Sequence, residues 1–237
     1  MTWSIVAHDP ATGAFAVAVA TCAFAVGASC PHVRAGVGAV STQSMTNRYL
    51  GPAILDAMAR GLSPTAAIEG ALVGDAGAGL RQVHAVDRHG RTAAWTGRNC
   101  VEWCGSTQAL HVSVAGNMLA GPAVIADTLA AMTRPGDLPT RLMDAMDAGE
   151  QAGGDRRGRQ SAAMVLTTAE DFPDLDLRVD DHSTPLPELR RLLSIWDATA
   201  REAVATRPRK DAPSGVTDLD AIEANWIARG LDLRLRR

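Results

Sequence analysis

Residues 14–21 read Ala-Phe-Ala-Val-Ala-Val-Ala-Thr. Small and larger apolar residues alternate with the two-residue period of a β-strand, yet neither face is polar. Such a strand cannot sit in a sheet with one wet side. It has to be covered above and below, which demands a layered molecule. Residues 4–9 read as its partner strand, and Pro10-Ala11-Thr12-Gly13 as the turn between them. The apolar run before Cys30 also has the look of a secretion signal. No Lys or Arg precedes it, however, and Asp9 does, so the strand reading is preferred.

The remaining elements follow from periodicity and punctuation. Residues 36–43 read as a strand rich in glycine, after an irregular stretch over 27–34. Ile54, Leu55, Met58 and Leu62 have helical spacing, and Ser63-Pro64 signals a second helix start. Strands are expected over 82–87 and 91–96 with Arg88-His89-Gly90 as their turn, then over 101–107 and 111–118. Gly121-Pro122 opens a helix, and another is expected over 138–151. Two strands, 162–167 and 175–181, precede a helix starting at Thr184-Pro185. Residues 1–204 thus read as one domain, and 205–237 as a linker with a short helical extension.

The chain has 237 residues and a net charge of −3, which gives no electrostatic basis for nucleic-acid binding. No segment has the length of an apolar membrane span, so the expected location is cytoplasmic. Cys22, Cys30, Cys100 and Cys104 do not form two metal-binding pairs, and buried thiols are the preferred reading. Neither a metal nor a cofactor is expected. Asp180-Asp181-His182 reads as a polar cluster at a strand end rather than a cation site.

Thr2 carries the sharpest chemical possibility. Initiator methionine is usually trimmed before a small residue, which would leave a threonine hydroxyl beside its own α-amine. Such an amine has a pKa of about 7.7–8.0 and can serve as the base that activates the hydroxyl. The plainer alternative is that Thr2 simply begins a strand.

The element order resembles the N-terminal-nucleophile (Ntn) hydrolase fold. The motifs are closer to a bacterial family called domain of unknown function 1028. They are Thr2-Trp3-Ser4-Ile5-Val6-Ala7, the run from Arg34 to Val40, the run from Gly116 to Pro122, residues 153–163, and Arg178-Val179-Asp180-Asp181-His182. The resemblance covers residues 2 to about 195. It implies an α+β fold, a four-layer αββα sandwich, and a hydrolase of small, possibly anionic, amides. It also implies a homo-oligomer, a dimer being the first expectation. The alternative on the same fold is a non-catalytic small-anion-binding or assembly protein.

The resemblance also assigns roles. Arg34 lies where Ntn enzymes hold a cation that lowers the nucleophile's proton affinity, and Asp155 where a carboxylate supports the amine. Asn117, at a strand end, is a candidate donor to a developing oxyanion, as are the backbone N–H groups from Ser41 to Ser44. Gln43 is a candidate substrate contact, with Ser41 beside it. Arg157 and its neighbours Arg156 and Arg159 either neutralise Asp155 or bind an anion. His8 stands where the family more often has Arg, which makes it a candidate specificity residue.

Overall fold

The computed structural model describes residues 2–201, 206–228 and 230. Met1, whose removal the threonine chemistry requires, lies outside the described residues. Ten strands form two antiparallel sheets, and there are six α-helices among the described residues. The larger sheet contains β1 (Thr2–Asp9), β2 (Ala14–Thr21), β7 (Gly105–Ala109), β8 (Val112–Asn117), β9 (Ser161–Thr167) and β10 (Leu175–Val179). The smaller contains β3 (Pro31–Arg34), β4 (Gly38–Ser44), β5 (Arg81–Asp87) and β6 (Thr92–Thr96). Strand order is β10-β9-β2-β1-β8-β7 in the first and β3-β4-β5-β6 in the second.

The run that is apolar on both faces is β2. It lies between β1 and β9, and all eight of its residues are buried. β1 pairs with it from Trp3↔Ala20 to Asp9↔Ala14. The short edge strand β3 falls in the stretch expected to be irregular. It pairs only with β4, and Pro31 is its first residue, a position where the missing N–H costs no ladder bond.

The helices are α1 (Leu50–Ala59), α2 (Pro64–Leu72), α3 (Ala123–Ala131), α4 (Leu138–Gln151), α5 (Pro185–Ile195) and α6 (Leu219–Ile227). Ser63 caps α2 by accepting the Ala66 N–H at 3.3 Å, and Asp137 caps α4 by accepting the Thr140 N–H at 3.0 Å. α1 and α2 bury Ile54, Leu55, Met58 and Ile68 against Val40, Val83 and Ala85 of the smaller sheet. α3 and α4 pack on the larger sheet. Gly149 of α4 makes room there for Trp3, whose indole nitrogen would lie 2.8 Å from a Cβ at that position.

The chain divides into two compact units between Leu189 and Arg190. The second contains the end of α5, a π-helical turn over Trp196–Ala200, and α6, which Asp218 caps at its start. All candidate site residues belong to the first unit.

The inner faces of the two sheets meet in a layer with two unlike halves. One half is apolar: Val6, Phe15 and Val17 pack on Ala39 and Val86. The other half contains Ser4, Ser41, Gln43, Gln82, His84 and Ser113, all fully buried. Burying such groups costs several kcal/mol each unless they are hydrogen-bonded. Their bonds define the candidate site.

Candidate functional site

Thr2 opens β1 and pairs with Asn117, the last residue of β8. Its hydroxyl donates to Thr21 Oγ1 at 3.3 Å, and its carbonyl accepts from Gln43 Nε2 at 3.5 Å. Behind it runs a continuous chain of hydrogen bonds. Gln43 Oε1 accepts from the Ser4 hydroxyl at 2.7 Å and from Ser41 at 3.3 Å. Gln43 Nε2 donates to Gln82 Oε1 at 2.9 Å and to the Ala115 carbonyl at 3.2 Å. Gln82 Oε1 also accepts from Asn117 Nδ2 at 2.9 Å, while Gln82 Nε2 donates to the Gly116 carbonyl at 2.8 Å.

The deep end of this chain is His84. With the Ser4 hydroxyl committed to Gln43, Ser4 Oγ accepts from His84 Nε2–H at 2.7 Å. His84 Nδ1 is then left to accept from the Ser113 hydroxyl at 3.0 Å. Burial pushes the His84 pKa down to about 3, so the imidazole is neutral at pH 7.

On the outer side of Thr2 lies the loop 153–158. Gly153, Gly154 and Gly158 have φ of 114°, 49° and 114°, conformations that only glycine adopts without strain. The loop is laid against the end of β8 through a bridge between Leu119 and Asp155. Asp155 is buried. Its Oδ2 accepts the Cys22 N–H at 2.7 Å, one residue beyond Thr21, and its Oδ1 accepts the Arg157 N–H at 2.8 Å. The Arg157 guanidinium bonds the same carboxylate, with Nη2 to Oδ2 at 3.2 Å. Thr2, Asn117, Asp155 and Arg157 therefore gather at one end of the larger sheet.

Arg34 is not with them. It ends β3, pairs with Asp56 of α1 at 2.8 Å, and is 41% exposed. It lines a recess with Thr167, which pairs with Phe15, which in turn pairs with His8. His8 lies six residues along β1 from Thr2, about 20 Å at the usual strand rise. Arg34 therefore lies at the far end of the sheets, and the expectation that its charge acts on Thr2 does not fit this geometry.

His8 is displaced for the same reason. Its ring stacks on Phe15 at 4.5 Å, and its Nδ1 lies 3.0 Å from His111 Nδ1. Burial, reinforced by His111, lowers its pKa.

Two further expectations are corrected. Gln43 and Ser41 are fully buried and bonded within the inter-sheet layer, so neither side chain is open to a substrate. Within Ser41 to Ser44, pairing of β4 with β3 and β5 takes up backbone N–H groups that would otherwise serve as oxyanion donors. Thr42 N–H already bonds the Cys30 carbonyl, and Met45 N–H the Leu80 carbonyl. Asn117 keeps one amide N–H beyond its bond to Gln82. Asp180 is taken up by Arg178, with contacts of 2.9 Å, and His182 Nδ1 accepts the Thr184 N–H. Among the described residues no group of three or more His, Cys, Asp or Glu is arranged to hold a metal. No helix among them is long and apolar enough to cross a membrane.

The residues that sequence reasoning missed are Ser4, Thr21, Gln82, His84 and Ser113. A signal for them existed. Each is a polar side chain at an inward position of a strand, with an apolar residue on at least one side in the sequence, and a buried polar group needs a partner.

A comparison with curated proteins finds no match. The solved structure of SPO2555 from Silicibacter pomeroyi, described as a DUF1028 protein, is 29% identical. It covers 92% of this chain and 96% of its own, with a TM-score of 0.85. The ancestral β-subunit Anbu of Yersinia bercovieri overlaps 82% of this chain and 96% of its own at 10% identity. Its TM-score of 0.38 is too low to bear on fold or chemistry. The model of a family of unknown function matches residues 2–189, and the chain accordingly belongs to that family, DUF1028.

Proposed function

We propose that the protein is an amide hydrolase with Thr2 as an N-terminal nucleophile, on a four-layer αββα sandwich of Ntn type. One observation carries this reading. Thr2 heads a central strand with its hydroxyl bonded to Thr21, and the next residue, Cys22, is bonded to the buried carboxylate of Asp155. Buried carboxylates seldom occur without a purpose, and this one lies at the strand end where a trimmed α-amine would need orientation and charge support.

In the proposed reaction the Thr2 α-amine takes the hydroxyl proton as Oγ1 adds to the amide carbon. The tetrahedral adduct collapses, the C–N bond breaks, and the amine proton passes to the leaving nitrogen. The resulting Thr2 ester is cleaved by water, which restores the hydroxyl and releases a carboxylic acid. The second N–H of Asn117 is the side-chain donor proposed for the oxyanion. Gln43 has no contact with the reacting atoms in this scheme. It is a positioning residue that holds the Thr2 carbonyl. Arg34 has no part.

The test is direct. Intact-mass measurement of the purified protein is expected to show loss of one methionine. A β-lactone, which acylates N-terminal threonines, should then add once, with the adduct mapping to Thr2. Thr2→Ala should abolish the adduct and Thr2→Ser should keep it. A retained methionine, or an adduct elsewhere, removes the reading.

A further inference from the structure

The loop that carries Asp155 also forms the floor of an open recess of about 500 Å³. Its walls include Ala120, Glu150, Arg156, Arg159 and Ser183. Three arginines stand on this loop or just after it, and two are already matched. Arg157 is bound to Asp155, and Arg159 to Glu150. The Arg156 guanidinium has no hydrogen-bond or ion-pair partner among the described residues, and it is exposed to the recess. The recess therefore carries one uncompensated positive charge.

The position of that charge relative to Thr2 follows from the backbone. The Arg156 N–H donates to the Met118 carbonyl at 3.4 Å, and Met118 follows Asn117, the partner of Thr2. Three Cα steps, two of them across paired backbone and one along the chain, thus separate the root of the side chain from Thr2, a span of at most about 15 Å that the long arginine side chain can shorten. A guanidinium presents paired N–H groups in a plane and binds carboxylates in two-pronged fashion. The glycines leave the loop backbone bare. No Cβ covers it at Gly153 or Gly158, and at Gly158 there is no heavy atom within 4 Å of where one would stand.

We infer that Arg156 is a specificity residue that recognises a carboxylate on the substrate, so that the amide cleaved at Thr2 belongs to a molecule with an acid group a few bonds away. This rests on the hydrolase reading for its substrate class, but the anion subsite itself can be tested without turnover. Glutaric acid monoamide, which bears one carboxylate and one amide, is compared with the uncharged diamide by calorimetry. The wild-type protein should bind the monoamide about ten- to a hundredfold more tightly. Arg156→Gln should remove that preference, Arg156→Lys should retain part of it, and 0.5 M salt should weaken it.

Equal binding of the two compounds, binding of neither, or an undiminished preference in Arg156→Gln overturns the inference. The folded state of the variant is checked by its unfolding midpoint, which an exposed arginine without side-chain partners should leave unmoved. The β-lactone reaction separates this result from the hydrolase reading. Acylation at Thr2 without monoamide preference sinks the subsite alone, and preference without acylation sinks the hydrolase alone.

Discussion

Asp155 and Cys22, 133 residues apart in sequence, are joined by a 2.7 Å hydrogen bond from the Cys22 N–H to the buried Oδ2. That bond ties the glycine loop to the end of β2. It also puts a carboxylate one residue beyond the threonine that touches Thr2.

Replacing Asp155 should therefore cost both stability and chemistry. Asp155→Ala leaves the Cys22 and Arg157 N–H groups without their acceptor. Hydrogen bonds to a charged group contribute about 1.5–3 kcal/mol each, and two are lost together with an ion pair. The expected loss is about 3–6 kcal/mol, seen as a fall in melting temperature of roughly 6–24 °C by calorimetry. Asp155→Asn keeps one acceptor oxygen and should lose less stability, yet it removes the charge. If the carboxylate supports the Thr2 amine, both variants should acylate far more slowly, and Asn should separate the electrostatic part from the structural one.

Arg34 gives the opposite expectation. Its ion pair with Asp56 is exposed on both sides, at 41% and 54% of side-chain area. Such pairs contribute about 0–1 kcal/mol. Arg34→Gln should shift the urea midpoint only slightly and leave the rate of β-lactone acylation at Thr2 unchanged. A large loss of acylation would show that the two ends of the sheets are coupled, and would restore Arg34 to the chemistry.

These two residues mark what the sequence could and could not reveal. The double apolar face of β2 made a covered central strand unavoidable. The cap at Ser63 marked one helix start through purely local chemistry, while the matching cap at Asp137 emerged only with the structure. Position along the chain said less about position in space. Arg34 precedes β4, whose Gln43 reaches Thr2, but the strand runs seven residues between its two ends. Only the register shows which end meets the nucleophile. The polar chain from His84 to Asn117 was hidden for a related reason. Its members come from β1, β4, β5 and β8, and each looks isolated until the two sheets face one another.

Glycine offers a matched pair of substitutions with opposite signs. Ala is favoured over Gly inside a helix by about 0.5–1 kcal/mol. At Gly70 in α2 an added Cβ meets no heavy atom within 4 Å, so Gly70→Ala should stabilise by about that amount. At Gly149 in α4 the same Cβ would run into Thr128 Oγ1, which is held by its 2.6 Å bond to the Val124 carbonyl, and would lie 2.8 Å from Trp3 Nε1. Overpacking of this kind costs about 1–3 kcal/mol, more than the helix preference returns. Gly149→Ala should therefore lower the urea midpoint while Gly70→Ala raises it. A stabilising Gly149→Ala would mean that Trp3 is packed more loosely than described.

His84 leads to a prediction about pH. Its pKa falls from the unfolded value of 6.5 to about 3 on burial. The unfolded chain therefore binds a proton that the folded one refuses, and stability is lost as pH falls below 6.5. The contribution is fully present above pH 6.5 and declines down to about pH 3. One such group gives a slope of at most about 1.4 kcal/mol per pH unit. His8 and His32 are also lowered by burial and act in the same direction. Asp75, held well below the usual carboxylate range mainly by hydrogen bonds from Arg81 and Asn47, loses its contribution only at more acid pH. Between pH 7.5 and 4.5 the histidines should thus dominate. Urea unfolding across that range is expected to show a steep fall for the wild type. His84→Gln, which offers an amide to Ser4 and Ser113 but no titrating group, should be less stable at pH 7.5 and show a shallower slope. The two curves should converge toward pH 4.5. Parallel curves would mean that His84 has the same pKa in the folded and the unfolded chain, and a wild-type curve that gains on His84→Gln as pH falls would mean that the folded protein keeps the imidazole protonated, which would reverse the assignment of its Nδ1 as an acceptor from Ser113.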